Sequence, residues 1–221
     1  MANTKSRAHR IIETDGDVRD GVRALRRKCA TMRHVHDTAG DPPLRRRMAG
    51  FEGLSRIIVG QQLSVASATA IWTRTALACQ PFEPQVLLGL KDKPLVAAGL
   101  SRGKIRTLRA IADSCSNGLD LTRLDGASDE EVHAAMAEIV GIGPWTADIY
   151  IMFCLGRADG WAPGDLALQI AAQKALALDE RPSIVGMMEL AERWRPWRSV
   201  AARLLWAYYA VTKTKQNAVP V

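Results

Sequence analysis

Apolar and polar residues follow the period of an α-helix through most of the chain, and one stretch shows how such helices are joined. Ser128 and Glu131 have the spacing of a capping box, which starts a helix. Apolar residues follow on one face, at positions 132, 135, 136, 139 and 140. The sequence Gly-Ile-Gly at 141–143 then ends this helix, and Pro144 suits the first position of the next. The pattern predicts two short helices joined by a glycine-rich hairpin.

The same periodicity predicts helices along most of the remaining sequence. They are expected at Val18–His36, at Phe51–Ala78 with a break near Gly60, through most of Pro81–Asn117, at Leu166–Leu178, and from Pro182 and Pro196 onward. Within the helix from Arg102 to Cys115, Lys104, Arg106 and Arg109 are expected to face outward. Residues 1–16 and 213–221 are expected to be loose. No run has the two-residue period of a strand, so the predicted fold class is all-α.

Charge and cysteine content narrow the class of protein. The net charge of +7 favours a polyanionic partner such as nucleic acid. Four cysteines lie at least 36 residues apart, without metal-ligand pairs or a disulfide framework, so reduced thiols are expected. No apolar run reaches membrane-spanning length. We expect a monomer without a membrane partner, in the cytoplasm and nucleoid if bacterial or in the nucleus if eukaryotic.

Two features have a direct chemical meaning. The N-terminus of the helix after the hairpin exposes backbone N–H groups, which suit a phosphate. Asp165 precedes an apolar helix, where an aspartate can be a simple N-cap or a catalytic carboxylate. The residues alone leave both roles of Asp165 open.

The sequence V-G-I-G-P-W-T-A-D at 140–148, followed by Pro163-Gly164-Asp165, resembles the helix-hairpin-helix Gly/Pro-Asp superfamily of DNA glycosylases. Within it, the branch of 3-methyladenine DNA glycosylase II is the most similar, over roughly Phe51 to Val211. The resemblance implies two helical lobes with the active site in the cleft between them. Residues 44–155 would form the central lobe, which ends in the hairpin, and residues 1–43 with 156–221 the second lobe.

The resemblance also assigns roles to individual residues. Asp165 would be catalytic. The base pocket would be formed by Gln61, Trp145, Ile149, Trp161, Trp206 and Tyr209. DNA would be contacted by Gln62, Ser64, Gly141, Ile142, Gly143 and Thr146. Two residues differ from those of this branch. Gln62 occupies the position at which a close relative inserts an apolar side chain into the duplex, and Ile149 occupies the position at which that relative has a tyrosine.

Expectations about metal groups also come from the resemblance. Relatives with an iron–sulfur cluster hold it with four closely spaced C-terminal cysteines, which this sequence lacks, so no such cofactor is expected. A structural Na⁺ or K⁺ ion could bind the hairpin carbonyls of Ala137, Ile139 and Ile142.

The implied reaction is excision of alkylated purines from double-stranded DNA. The damaged nucleotide would be flipped out, and a carboxylate would stabilise the developing oxocarbenium ion. A base methylated on a ring nitrogen is already cationic, so it needs no general acid and is attracted to aromatic rings. Relatives that also cut the strand use a lysine just after the hairpin; here Trp145 occupies that position, which indicates a monofunctional enzyme. The alternatives are an oxidised-base or mismatch glycosylase on the same scaffold, and a non-catalytic DNA-binding hairpin protein.

Overall fold

A computed structural model describes residues 9–217, with side chains as far as Lys213. In this range the chain forms helices joined by short loops, and its only β-type pairing is an isolated bridge between Ile11 and Arg157. The α-helices, numbered α1 to α12, are Asp15–Lys28, Ala30–Ala39, Phe51–Gly60, Val65–Ala78, Pro84–Gly89, Asp92–Ala97, Arg102–Ser116, Asp129–Ala137, Pro144–Phe153, Leu166–Ala175, Ile184–Glu192 and Arg198–Asn217. A 3₁₀-helix spans Leu121–Gly126. The predicted all-α fold class is confirmed.

Two compact units make up the fold. The first is Arg47–Leu155, which contains α3 to α9. The second joins residues 9–46 to residues 156–217, and contains α1, α2 and α10 to α12. The lobe boundaries and the cleft expected from the sequence stay predictions.

The first unit is built around α3, which packs against α4, α7 and α9. Its core is apolar, with Leu54, Ile58 and Leu108 fully buried. Tyr150 on α9 ties the start of α3 to the 3₁₀-helix: its hydroxyl accepts the N–H of Gly50 at 2.8 Å and donates to the carbonyl of Leu121 at 3.0 Å. Burial raises the pKa of this hydroxyl, so it stays protonated and keeps donating.

The second unit packs α12 against α1, α2 and α10. Gly21 allows α1 to come close to α12, because a Cβ there would lie 2.6 Å from Cγ2 of Val200 and 2.7 Å from the Trp197 ring. A larger side chain at this position would push the two helices apart.

The N-terminal region differs from the expectation in two ways. A single helix over Val18–His36 is wrong: Cys29 has an extended backbone (φ −139°, ψ 115°) and separates α1 from α2. The break lets Met32 and Val35 of α2 become fully buried. Residues 9–16 are not loose, since Ile12 is fully buried and its N–H donates to the carbonyl of Gly156 at 2.7 Å.

The remaining differences are at the chain ends. The backbone of α12 continues as a helix to Asn217, so a frayed tail from residue 213 is wrong for residues 213–217. Residues 1–8 and 218–221 lie outside the described range. None of the helices in the described part of the chain is long and apolar enough to cross a membrane.

Candidate active site and hairpin

The hairpin forms as predicted between α8 and α9. Ser128 and Glu131 make both bonds of the capping box at the start of α8. Gly141 turns the chain with a φ of 89°, and a Cβ at this residue would lie 2.3 Å from Oγ1 of Thr107. Glycine is therefore required there by both conformation and space. Gly143, by contrast, is exposed, and a Cβ on it would meet no described atom within 4 Å.

An ion pair links the two helices of the hairpin. His133 on α8 donates from Nε2 to Oδ1 of Asp148 on α9 at 2.9 Å. The bond to Asp148 raises the pKa of His133, which favours the charged imidazolium. His133 also lines a cavity with hairpin residues, among them Ile142, Gly143 and Pro144. This pair was not predicted from the sequence, because its two residues lie on different helices.

The loop between α3 and α4 presents the two glutamines singled out in the sequence. Gln61 caps the end of α3, and Ser64 caps the start of α4 by accepting the N–H of Ser67 at 3.2 Å. Gln61 donates from Nε2 to Oγ1 of buried Thr146 at 3.2 Å, which brings two expected site residues together. Gln62 is exposed and has a φ of 58°, a conformation that L-residues seldom adopt outside functional sites and turns.

Lys104 holds this loop in place, which corrects the expectation that it faces outward. Its Nζ donates to the carbonyl of Val59 at 2.7 Å and to that of Gln61 at 2.8 Å. These carbonyls end α3 and would otherwise lack an intrahelical partner. Partial burial lowers the pKa of Lys104. Arg109, also expected outward, instead donates to the carbonyl of Leu90 at 2.7 Å and to Asp92.

In the second unit, Asp165 and Trp206 form a hydrogen-bonded pair. Oδ1 of Asp165 accepts the N–H of Leu168 at 3.0 Å, as an N-cap of α10, and the indole N–H of Trp206 at 3.0 Å. The preceding loop is fixed as well, because Gln169 donates from Nε2 to the carbonyl of Pro163 at 2.9 Å. Two N–H groups from different helices thus set the position of a half-buried carboxylate.

The other expected pocket residues have varied surroundings. Trp161 is only 6% exposed, packs edge-on against Trp194, and donates its indole N–H to the carbonyl of Met187 at 3.1 Å. Ile149 is buried within α9, whereas Trp145 is half-buried in the first turn of that helix. Tyr209 is half-buried on α12, with Nζ of Lys213 5.6 Å from its ring centroid.

A monovalent cation on the hairpin carbonyls of Ala137, Ile139 and Ile142 stays a prediction. The carbonyl of Ile139 also accepts the N–H of Ile142 at 3.0 Å, which uses one of its two lone pairs. Between residues 9 and 217 there is no group of three or more His, Cys, Asp or Glu side chains arranged to hold a metal ion. None of the four cysteines forms a disulfide within the described residues.

Comparison with known proteins identifies the family. Residues 55–196 match the model of the HhH-GPD superfamily of base excision DNA repair proteins. The alkylbase DNA glycosidase-like protein mag2 of Schizosaccharomyces pombe is 26% identical over 164 residues, which are 72% of this chain and 77% of that protein.

Two solved structures are similar over most of their length. One is the 3-methyladenine DNA glycosylase of S. pombe in complex with abasic DNA, with a TM-score of 0.76, 25% identity, and coverage of 85% of this chain and 95% of that one. The other is the DNA-3-methyladenine glycosidase of Bacillus halodurans, with a TM-score of 0.73, 30% identity, and coverage of 93% and 95%. The chain therefore belongs to the HhH-GPD superfamily of base excision DNA repair proteins.

Proposed function

We propose that this protein is a DNA glycosylase that removes alkylated purines, of the 3-methyladenine and 7-methylguanine type, from double-stranded DNA. The observation that carries the proposal is the carboxylate of Asp165, which is fixed by the N–H groups of Leu168 and Trp206. The resemblance to the superfamily implies that this aspartate is the catalytic one. The relatives named above are described as 3-methyladenine or alkylbase glycosylases, and this supports the class of substrate.

The reaction needs a flipped nucleotide and a stabilised sugar cation. Extruding the base costs a few kcal/mol, and less when the base is damaged. An alkylated purine carries a positive charge and leaves readily with the electron pair of the N-glycosidic bond, and water then adds to C1′ of the sugar. The main demand on the protein is therefore to stabilise the oxocarbenium-like sugar. The carboxylate of Asp165 meets this demand electrostatically, and its two fixed hydrogen bonds hold it in one orientation while the charge develops.

The base pocket is proposed to use aromatic side chains. Rings of Trp145, Trp206 and Tyr209 would attract the cationic base by about 0.5–2 kcal/mol each. Gln61 and Ile149 would complete the pocket. Trp161 would serve as a supporting wall, since its ring is buried against Trp194.

DNA binding is assigned to the two loops of the first unit. The exposed Gln62 would enter the duplex in the space that the flipped base leaves, and Ser64 would lie beside it. The hairpin glycines would bind a phosphate through backbone N–H groups at the start of α9, with Ile142 and Thr146 beside the contact. A Na⁺ or K⁺ ion on the carbonyls of Ala137, Ile139 and Ile142 would add a positive charge at the hairpin that attracts phosphate.

We further propose that the enzyme acts as a monomer and leaves the DNA strand intact. A lyase needs an unprotonated amine next to C1′ of the sugar, and Trp145 cannot supply one. The test is incubation with methylated duplex DNA, with analysis of both the released bases and the strand. Release of 3-methyladenine or 7-methylguanine, with breaks only after alkali and no borohydride-trapped adduct, is the expected result.

Three other results would each contradict a part of this proposal. Release of oxidised or mismatched bases instead would point to another glycosylase on this scaffold. Binding of DNA without release of any base would indicate a non-catalytic hairpin protein. A trapped adduct would contradict the monofunctional mechanism alone.

A further inference from the structure

One strongly positive stretch of the chain lies far from Asp165 in the sequence. Residues 19–33, in α1 and the start of α2, contain five arginines and one lysine against a single aspartate, a formal charge of +5. Residues 128–176, which hold the hairpin and Asp165, contain seven acidic and two basic residues, a formal charge of −5. The net charge of this segment does not favour DNA, so long-range attraction to DNA is expected from other parts of the chain.

Four arginines of this segment converge on one shallow surface cavity. It is lined by Arg23, Arg26 and Arg27 of α1 and by Arg33 of α2, and we call this set the arginine cluster. The two helices meet there through reciprocal bonds: Arg33 donates to the carbonyl of Arg26 at 3.1 Å, and Arg26 donates to the carbonyl of Arg33 at 3.4 Å. The break at Cys29 therefore also places arginines of two helices on one surface.

The members of the cluster differ in how firmly the fold holds them. Arg26 pairs with Asp37 and contacts His36, so it is part of the α1–α2 connection. Among the residues that the structure describes, Arg23 pairs with Asp20 one turn away, and both side chains of that pair are more than half exposed. Arg27 is exposed at the same cavity. An exposed ion pair is worth at most about 1 kcal/mol, so Arg23 can exchange Asp20 for a phosphate at little cost.

We propose that the arginine cluster binds the phosphate backbone of double-stranded DNA and contributes to the electrostatic attraction in non-specific binding. This inference rests on the proposed function, since it takes DNA as the substrate. The planar guanidinium group pairs with phosphate oxygens in a bidentate manner, which a lysine ammonium cannot do. Contacts of this kind position a protein on DNA without reading its sequence, as a search for rare damaged bases requires.

A pair of matched double variants tests the proposal. Arg23→Gln with Arg27→Gln removes two charges from the cluster while leaving Arg26 and Arg33, which join the helices. Arg181→Gln with Arg193→Gln removes the same charge from exposed positions at the two ends of α11, in the same unit. Thermal melting checks that both variants keep the fold. The probe is an undamaged duplex, whose dissociation constant is measured as a function of NaCl concentration.

The cluster variant should bind undamaged duplex on the order of ten-fold more weakly at 0.1 M salt, with a log–log salt slope shallower by about 1.8, as expected for two lost phosphate contacts. The control variant should change the slope by much less. Equal effects of the two variants would overturn the inference. Unchanged DNA binding by the cluster variant would also overturn it, and would leave an acidic protein as the partner of the arginine cluster. If the unmutated protein releases methylated bases, either failure concerns the cluster alone and not the proposed function.

Discussion

Asp165 shows that one residue can serve as a helix cap and as a proposed catalytic group. From the sequence, the two roles looked like alternatives. In the structure, the cap bond from Leu168 and the indole bond from Trp206 both reach Oδ1, and both fix the direction of the carboxylate. The structural role therefore contributes to the orientation that catalysis requires.

Trp206→Phe tests how much this orientation matters. The substitution keeps an aromatic ring but removes the N–H that bonds to Asp165. A hydrogen bond to a charged group contributes about 1.5–3 kcal/mol, so we expect single-turnover base release to slow by at least about ten-fold. Thr212→Val is the control, because it removes a polar group on the same helix whose bonds are to the carbonyls of Tyr208 and Tyr209. A similar small effect of both variants would show that the indole bond does not position the carboxylate.

At the scale of single elements, the α3–α4 loop depends on one lysine from a third helix. Lys104→Met should leave the carbonyls of Val59 and Gln61 without their donor. We expect the free energy of unfolding to fall by about 1–3 kcal/mol, and base release to fall further than the lost stability explains, since Gln61 and Gln62 would lose their fixed position. Arg106→Met on the same helix is the control, as Arg106 is exposed. Equal urea denaturation curves for the two variants would contradict this role of Lys104.

The two hairpin glycines should respond differently to alanine. Gly141→Ala places a Cβ at a positive φ and against Thr107, so it should lower the free energy of unfolding by at least about 1 kcal/mol. Gly143→Ala has room for its Cβ within the described structure, so stability should stay nearly the same. If the hairpin binds phosphate closely, Gly143→Ala should still weaken DNA binding, because the new methyl group stands where the backbone must approach the ligand. Unchanged binding by this stable variant would argue against a hairpin–phosphate contact.

The elements themselves differed in how well the sequence predicted them. The α8–α9 hairpin was predicted because its signals are local: a capping box, two glycines and a proline within seventeen residues. The break at Cys29 was missed because no local residue requires it. It follows from the burial of Met32 and Val35, which depends on tertiary packing.

For the whole molecule, helical periodicity was enough to predict the all-α class. The hairpin sequence together with Asp165 was enough to predict the family. The interactions that support the site were not predictable in the same way. Lys104 bonds to residues more than forty positions away, and His133 to a residue on the next helix. Both interactions involve a charged side chain, and in a sequence such a residue looks like an ordinary solvent-exposed position.

The central claim is that the negative charge of Asp165 drives removal of the base. Asp165→Asn keeps nearly the same size and an oxygen that can cap α10, but it removes the charge that stabilises the sugar cation. Single-turnover release of 7-methylguanine from methylated duplex, measured with the protein in excess over DNA, tests this directly. We expect the rate to fall by at least about 10²-fold, while the dissociation constant for the duplex changes little. Release within a few-fold of the unmutated protein would show that Asp165 is a helix cap and that the catalytic charge lies elsewhere.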